Sequence, residues 1–258
     1  MNATENLTAL YTVSRREIVR ILRIWTQTLI PPAITMGLYF VIFGSMIGSR
    51  IGEIRPGIGY MDFLVPGLIM MSVITNSYGN ISSSFFGAKF GRHVEEMLVS
   101  PMPGWVILTG YVSGAVMRGL VVALVVFAIS LFFTRIQLHH PWVTLSTVLL
   151  TAIVFALAGF VNAVFARKFD DIALVPTFIL TPLTYLGGVF YSTDALPSPW
   201  REISHANPIL YMVNAFRYGL LGITDIDLRI AYAVMIASAL ALGAFALHLL
   251  RKGVGLRT

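Results

Sequence analysis

The residues that could perform chemistry are few in this chain, and their spacing indicates no catalytic or metal site. His139 and His140 are adjacent, with no acid nearby and without the i, i+4 spacing that places two ligands on one side of a helix. Asp170 and Asp171 lie beside basic residues in a short loop, as in a solvated charge cluster. The chain has no cysteine, and the patterns G-x-x-x-x-G-K-[ST], H-E-x-x-H and G-x-S-x-G are absent. We therefore expect no enzyme activity, cofactor or metal in this chain, so that any ATP-driven work needs a separate subunit.

Residues 89–105, KFGRHVEEMLVSPMPGW, concentrate charge between two long apolar stretches. Written as a helix, the segment places four apolar residues near one side: Phe90, Val94, Met97 and Leu98. Pro101 and Pro103 would end this helix, because proline lacks the amide donor. We predict an amphipathic helix over residues 89–100 that docks a cytoplasmic partner, since a simple loop would need only a few polar residues. The alternative is an interfacial helix that rests on lipid.

Polar side chains recur at helical spacing within one of the apolar stretches: Ser72, Asn76, Asn80 and Ser83. Polar groups in a membrane helix face protein or water. This side is therefore either a wall of a translocation route or a surface for helix contact. In a later stretch, the small residues Ala152, Ala156, Gly159 and Ala163 form a ridge that predicts helix contact.

Arg118 is the one basic residue inside an apolar stretch, and it lies 15 residues beyond Pro103. If the span begins several residues after Pro103, the long side chain of Arg118 can snorkel toward the cytoplasmic headgroups, which is the interpretation we favour. The alternative is a buried pairing with a substrate.

The composition indicates a membrane protein, because 57% of the chain is hydrophobic, 12% is charged and the mean hydropathy is +0.80. Membrane helices must therefore position the residues named above. A bilayer span needs about 20 mostly apolar residues. Six such runs are present, at residues 24–47, 63–86, 106–133, 142–165, 172–191 and 230–250. Lipid offers backbone groups no hydrogen-bond partners, so the spans must be helical. The predicted fold is an all-α polytopic membrane protein with six transmembrane helices.

The positive charges predict the orientation of these helices. With six spans both termini lie on one side, and that side carries eleven Lys and Arg residues against six on the other. Positive charge is retained in the cytoplasm during insertion, so we expect both termini and residues 89–100 to be cytoplasmic. The pI near 9.8 then reflects topology and anionic lipid, not binding of nucleic acid.

The segment before the first span, residues 7–23, has an amphipathic helical pattern. Five apolar residues share one side: Leu7, Tyr11, Ile18, Leu22 and Trp25. Arg16, Arg20 and Arg23 occupy the other side. We interpret the segment as an interface helix with its arginines among lipid phosphates, the alternative being an ordinary positively charged flank.

Several stretches resemble a known family. EEMLVSPMP at residues 95–103, followed by a long third span, and LPSPWREISHANPILYMVNAFRYGLLG at residues 196–222 are similar to the membrane subunit of ABC-2 type transporters. IPPAITMGLYFVIFGSMIGSRIG, FLVPGLIMMSVITN and FDDIALVPTFILTPLTYLGGVFY are similar to the YadH-type inner-membrane permeases of that family. The resemblance covers nearly the whole chain and implies a single ABC-2 type transmembrane domain over residues 1–258.

The resemblance also implies roles for particular segments. The amphipathic segment would be the coupling helix, and its contacts with an ATPase would be Arg92, His93, Glu95, Glu96, Met97 and Leu98. Residues 196–222, broken by three prolines, would form short re-entrant helices on the external side. The fifth span lies near the pathway in related exporters, so that Tyr185, Phe190 and Tyr191 form either a substrate surface or an ordinary aromatic belt at the bilayer boundary.

The implied assembly contains a second copy of this chain and two copies of a YadG-like ABC ATPase that uses ATP and Mg. The complex would export a polysaccharide, a lipid or a drug across a bacterial inner membrane, in contact with membrane lipids. The alternative function is an ATP-independent secondary transporter or channel. The carboxylates lie at span edges or in loops, which argues against proton-coupled transport.

Overall fold

The protein is described by a computed structural model that covers residues 2–55, 57–135, 138–193 and 196–255. In these ranges the secondary structure is mainly α-helical: α1 Ala3–Arg23, α2 Trp25–Tyr39, α3 Gly48–Ile51, α4 Tyr60–Phe90, α5 His93–Val99, α6 Gly104–Ser130, α7 Pro141–Phe165, α8 Phe169–Val175, α9 Thr181–Leu186, α10 Trp200–His205, α11 Pro208–Leu221 and α12 Leu228–Lys252. Two π-helical segments, Phe40–Ile47 and Pro176–Leu180, join α2 to α3 and α8 to α9. Two short antiparallel strands, β1 Glu53–Arg55 and β2 Ile58–Gly59, precede α4.

Within the described ranges, five helical stretches are long and apolar enough to cross a bilayer: Trp25–Gly44, Gly104–Ser130, Pro141–Phe165, Phe169–Leu186 and Leu228–Lys252. The remaining predicted run, residues 63–86, lies in α4, which has 31 residues but whose polar side chains lower its mean hydropathy. The prediction of an all-α polytopic membrane protein is confirmed, whereas the count of six spans stays a prediction. The run predicted at residues 172–191 is shifted, because its helix begins at Phe169 and ends at Leu186.

Helix α4 is the centre of the bundle, with α6, α7 and α11 packed around it. It approaches α7 so closely that a Cβ on Gly159 would lie 2.5 Å from the carbonyl oxygen of Tyr78. The Oγ of Ser82 donates a hydrogen bond to the carbonyl oxygen of Gly159, at 3.1 Å. Ala152, Ala156 and Ala163 are also buried. The predicted small-residue ridge is therefore confirmed as a helix contact.

Several basic segments meet at one end of the bundle, which we call the basic end. The Nζ of Lys89 donates to the carbonyl oxygens of Val164 and Ala166, at 2.7 and 2.8 Å. It thus supplies hydrogen-bond donors to carbonyl groups at the C-terminal end of α7, which lack partners within the helix. Burial, followed by the positive charge of Arg167, lowers the pKa of the Lys89 ammonium from its ordinary value. A Cβ on Gly104 would lie 3.4 Å from Leu250, so the start of α6 lies beside the end of α12.

At the opposite end, Arg217 of α11 is buried inside the protein. Its side chain is 1% exposed, and its guanidinium lies 3.8 Å from the ring centroid of Phe63. Its Nη2 donates to the carbonyl oxygen of Gly188 at 2.7 Å, beyond the end of α9. Arg217 is thus enclosed by protein. It connects α11 to α4 and to the turn after α9.

Residues 196–222, predicted to be re-entrant, contain α10 and α11. Helix α11 has 14 residues, so it is about 21 Å long at 1.5 Å per residue. That length is less than the hydrocarbon thickness of about 30 Å. Most of α11 is buried against α4, α7 and α12, so this short helix is held by protein.

We expect Arg217→Met to lower the melting temperature of the purified protein. The substitution keeps an apolar stem but removes the donor to Gly188, and an unsatisfied buried carbonyl costs about 1–3 kcal/mol. Thermal unfolding in detergent measures the effect. The matched control is Arg229→Met, an exposed arginine at the start of α12, which should unfold like the wild type. Equal melting temperatures for the two variants would contradict the role given to Arg217.

Candidate functional site

The predicted coupling helix is a separate element, α5, set off from α4 by a sharp turn. Helix α4 ends at Phe90, and Arg92 has a left-handed backbone with φ of 60°, which breaks the helix before α5 begins at His93. Glu95 and Glu96 lie in the first turn of α5, where their negative charge interacts favourably with the helix dipole. The predicted range 89–100 is therefore corrected to His93–Val99.

The faces of α5 differ in part from the prediction. Val94 is buried, and Met97 and Leu98 are half-buried against the apolar core of the same chain. Arg92, His93 and Glu96 are exposed, and Glu95 is half-buried. Val99 is an apolar side chain of α5 with 88% exposure, and the sequence pattern did not single it out. Met97 and Leu98 thus hold α5 to its own bundle, and the exposed anchor is Val99.

A cavity of about 570 Å³ lies between α5 and the last turn of α12. Glu95, Leu98 and Val99 line one side, and Arg251 and Lys252 line the other. Basic and acidic groups therefore flank an apolar floor at this end of the bundle. Such a mixture of an apolar centre with a charged rim is common where proteins bind each other.

The four polar residues predicted on α4 lie in different environments. Ser72 is buried, and its hydroxyl bonds to the carbonyl oxygen of Leu68 in the same helix, at 3.0 Å. Asn80 is fully buried, Asn76 is half-buried and Ser83 is exposed. They do not form one continuous wall: Asn76 and Asn80 meet arginines, whereas Ser83 faces outward.

A polar network joins α1 to α4 and α6. Glu17 is 2% exposed, and its Oε2 accepts hydrogen bonds from Arg20 Nη2 at 3.0 Å and Ser84 Oγ at 2.6 Å. Arg20 Nη2 also donates to Asn80 Oδ1 at 3.0 Å. Arg16 Nη2 lies 3.5 Å from Glu17 Oε1 and donates to the hydroxyl of Tyr111 at 2.7 Å. The buried carboxylate thus holds two arginines between three helices.

The structure corrects the surroundings of two arginines of α1, whereas the position of this helix at the membrane interface stays a prediction. Arg16 and Arg20 bond to protein groups and do not point only toward lipid phosphates. The helix instead runs along α6, where a Cβ on Gly110 would lie 2.5 Å from Val13 and one on Gly114 would lie 2.6 Å from Glu17. Four of the predicted apolar residues, Leu7, Tyr11, Leu22 and Trp25, are exposed.

Arg118 also bonds within the bundle. Its Nε donates to Asn76 Oδ1 at 3.3 Å, and it lies near the middle of α6. Arg118 thus has a protein partner on α4, whereas the favoured interpretation, in which its stem snorkels to cytoplasmic headgroups, stays a prediction. Arg118 turns toward α4 because the amide of Asn76 offers an acceptor at the same depth.

Phe190, which follows the end of the fifth span, contacts aromatic residues of the first span. Phe190 stands at the centre, with ring centroids 5.1 Å from Phe43, 5.4 Å from Tyr185 and 6.1 Å from Tyr39. Tyr185 is exposed, and Phe190 and Tyr191 are half-buried. Gly188, with φ of +71°, reverses the chain between Tyr185 and Phe190. The prediction that these residues bind substrate is untested.

Sequence reasoning missed Glu17 and Asn80 as partners of arginines. One signal was present: Glu17 lies within the basic segment of an amphipathic helix, three residues before Arg20, so an acid and a base share one side. Gly110 and Gly114, four residues apart in the third span, mark a surface that another helix can approach closely. The two patterns meet where α1 crosses α6.

Comparison with known proteins gives one consistent result. A family model described as ABC-2 type transporter matches residues 8–221. The inner membrane transport permease YadH of Escherichia coli (strain K12) is 57% identical over 251 residues, which is 97% of each chain. Nodulation protein J of Rhizobium leguminosarum bv. viciae is 24% identical over 190 residues, 72% of this chain and 71% of that protein.

We expect Glu17→Gln to loosen α1 from the bundle. Without the carboxylate, Arg16 and Arg20 lose their charge partner, and the lost charge-assisted bonds weaken docking about tenfold or more. Limited trypsin digestion measures the rate of cleavage within α1, which should rise accordingly. Glu5→Gln removes the same charge from the first turn of α1, where Gln can still cap the helix, and should leave the rate unchanged. A wild-type rate for Glu17→Gln would contradict this role.

Proposed function

The chain belongs to the ABC-2 type transporter family, and on that premise we propose that it is the membrane-spanning permease subunit of an ATP-driven exporter. The observation that carries the proposal is 57% identity to an inner membrane transport permease over 97% of both chains. Five apolar helices fit a multi-pass inner-membrane protein, and we propose α4 as the sixth span. The cargo that we propose is a polysaccharide, lipid or drug.

ATP hydrolysis belongs to a partner in this proposal. The sequence lacks the phosphate-binding pattern, so ATP and Mg would be used by two copies of a YadG-like ABC ATPase. We propose that α5 docks on that subunit through Arg92, His93, Glu96 and Val99. Both termini would lie in the cytoplasm, which agrees with the gathering of basic segments at the end of the bundle that carries α5.

The connections of α5 make it suited to transmit force. Two residues separate it from α4, and four residues separate it from α6. Val94 is buried, with Met97 and Leu98 beside it. These short connections can absorb little of a displacement of α5 by the ATPase. Such a displacement therefore moves α4 or α6, the helices that carry Asn76 and Arg118.

A second copy of the chain would complete the pathway. The α2 segment exposes a run of apolar side chains, Ile30, Ile34 and Leu38, which suits lipid or another subunit.

On α4 the exposed Thr75 and Ser83 are polar groups that favour a protein or water-lined surface over hydrocarbon. We propose that Ser83, Asn76 and Tyr185 line the route, whereas Ser72 and Asn80 stay covered by protein in this conformation.

We expect Val99→Asp to prevent assembly with the ATPase while the chain still inserts and folds. A carboxylate in place of an exposed apolar anchor must be desolvated at the interface, at a cost that reduces affinity about tenfold or more. Co-purification with a YadG-like ATPase from the same genome, and ATP hydrolysis by the complex, measure the effect.

The matched control is Leu138→Asp, an exposed apolar residue at the opposite end of the bundle, which should assemble normally. Met97→Asp is less informative because Met97 also packs against the core. Normal co-purification and hydrolysis for Val99→Asp, or transport by the purified chain without any ATPase, would contradict the proposal. The second result would favour a secondary transporter or channel.

A further inference from the structure

The charges around Asn76 and Asn80 do not balance. Arg16 and Arg20 share the single carboxylate of Glu17. Arg118 bonds to the neutral amide of Asn76, and among the residues that the structure describes no ion pair joins it to an acid. Three guanidinium groups therefore accompany one carboxylate. Arg16 is exposed, at 49%, whereas Arg20 and Arg118 are half-buried, and the charge of a half-buried guanidinium is stabilised by a nearby anion.

Two of these guanidinium groups are stacked along α4. Arg118 bonds to Asn76 and Arg20 bonds to Asn80, which are four residues apart on the same helix. One helical turn is about 5.4 Å, so the two asparagine acceptors lie about that far apart along the axis of α4. Guanidinium groups held on neighbouring turns repel each other where bulk water does not screen them. An anion held between them would relieve the repulsion.

The cluster also has more donors than acceptors. Asn80 is fully buried, and its Nδ2 has no acceptor within the described part of the chain. Arginine presents a planar fork of N–H donors that matches the oxygens of a phosphate or a carboxylate. Nε and Nη2 of Arg20 already donate to Glu17 and Asn80, and Nε of Arg118 donates to Asn76. Both side chains are half-buried, and within the described part of the chain the donors left for a ligand are Nη1 of Arg20 and the two Nη groups of Arg118. The missing component is an acceptor with negative charge.

We propose that Arg20 and Arg118 bind a phosphate or carboxylate group. In the context of the proposed function, on which this assignment rests, the group belongs to the transported molecule. The depth of the site favours the cargo over a lipid headgroup. Arg118 is 14 residues into α6, about 21 Å from its start at 1.5 Å per residue, which is deeper than the headgroup layer of a core about 30 Å thick.

The test is binding of decyl phosphate to the full chain in nanodiscs of phosphatidylcholine. Decyl maltoside is the uncharged probe, and empty nanodiscs give the background. The wild type should bind decyl phosphate saturably and in preference to decyl maltoside. Arg118→Gln and Arg20→Gln should each weaken that binding about tenfold or more, because each removes a charge-assisted contact.

The matched controls are Arg15→Gln and Arg23→Gln, which remove the same charge from exposed positions of α1 and should bind decyl phosphate like the wild type. Arg118→Lys keeps the charge without the fork and should be intermediate. If a glutamine variant fails to fold, the wild-type comparison still decides. Absence of preference for decyl phosphate in the wild type, or undiminished binding by a folded Arg118→Gln, would overturn the site.

A second series distinguishes the two sources of the anion. Phosphatidylglycerol replaces part of the phosphatidylcholine, and the affinity for decyl phosphate is measured again. An unchanged affinity supports a site for cargo, whereas an affinity that falls as phosphatidylglycerol increases supports the same anion site occupied by a lipid headgroup. No ATPase is present, so Val99→Asp should bind decyl phosphate normally even where it fails to assemble. Failure of the anion site is thereby separated from failure of the proposed function.

Discussion

A polar helix at the centre of a bundle must have its polar groups satisfied by protein, and α4 imposes this requirement on the helices around it. Its buried serines and asparagines need hydrogen-bond partners, so α7 approaches through Gly159 and α1 brings Arg20 to Asn80. The close contact of α1 with α6 follows from the same need, because Glu17 must reach Arg20 and Ser84. The arrangement of the bundle is thus set by satisfaction of polar groups as much as by apolar contact.

Helix α4 also connects the two regions to which function is assigned. One end leads through Gly91 and Arg92 into α5, and the middle carries Asn76 and Asn80. Lys89 fastens the same end to the last turn of α7. A helix that is 31 residues long and hydrogen-bonded along its length transmits displacement with little loss. A partner acting on α5 would therefore move Asn76 and Asn80 together with α4, relative to the helices that carry Arg20 and Arg118.

The sequence predicted the elements well and their neighbours poorly. Apolar runs of about 20 residues identified the apolar helices because a bilayer requires that length, and prolines marked the end of α5 because they cannot continue a helix. Periodicity says which residues share a side of a helix, but not what lies against it. Met97 and Leu98 were correctly placed on an apolar side that in fact faces their own core.

The same limit explains why the partners of the buried and half-buried arginines could not be predicted from the sequence. Arg118 and Asn76 are 42 residues apart, and Glu17 and Ser84 are 67 apart, so no local pattern joins them. Arg217 lies in a segment that is rich in proline, which is typical of a loop, yet the fold encloses it between α11, α4 and Gly188. Buried charges in this chain are explained by partners that only the tertiary structure supplies.

The central claim is that α5 is the surface on which a cytoplasmic ATPase acts. The chain contains no cysteine, so Val99→Cys introduces a single reactive thiol at an exposed position of α5. A membrane-impermeant maleimide should modify this thiol from the cytoplasmic side only, and assembly with the ATPase should protect it. Modification from the external side, or equal modification with and without the ATPase, would contradict the account.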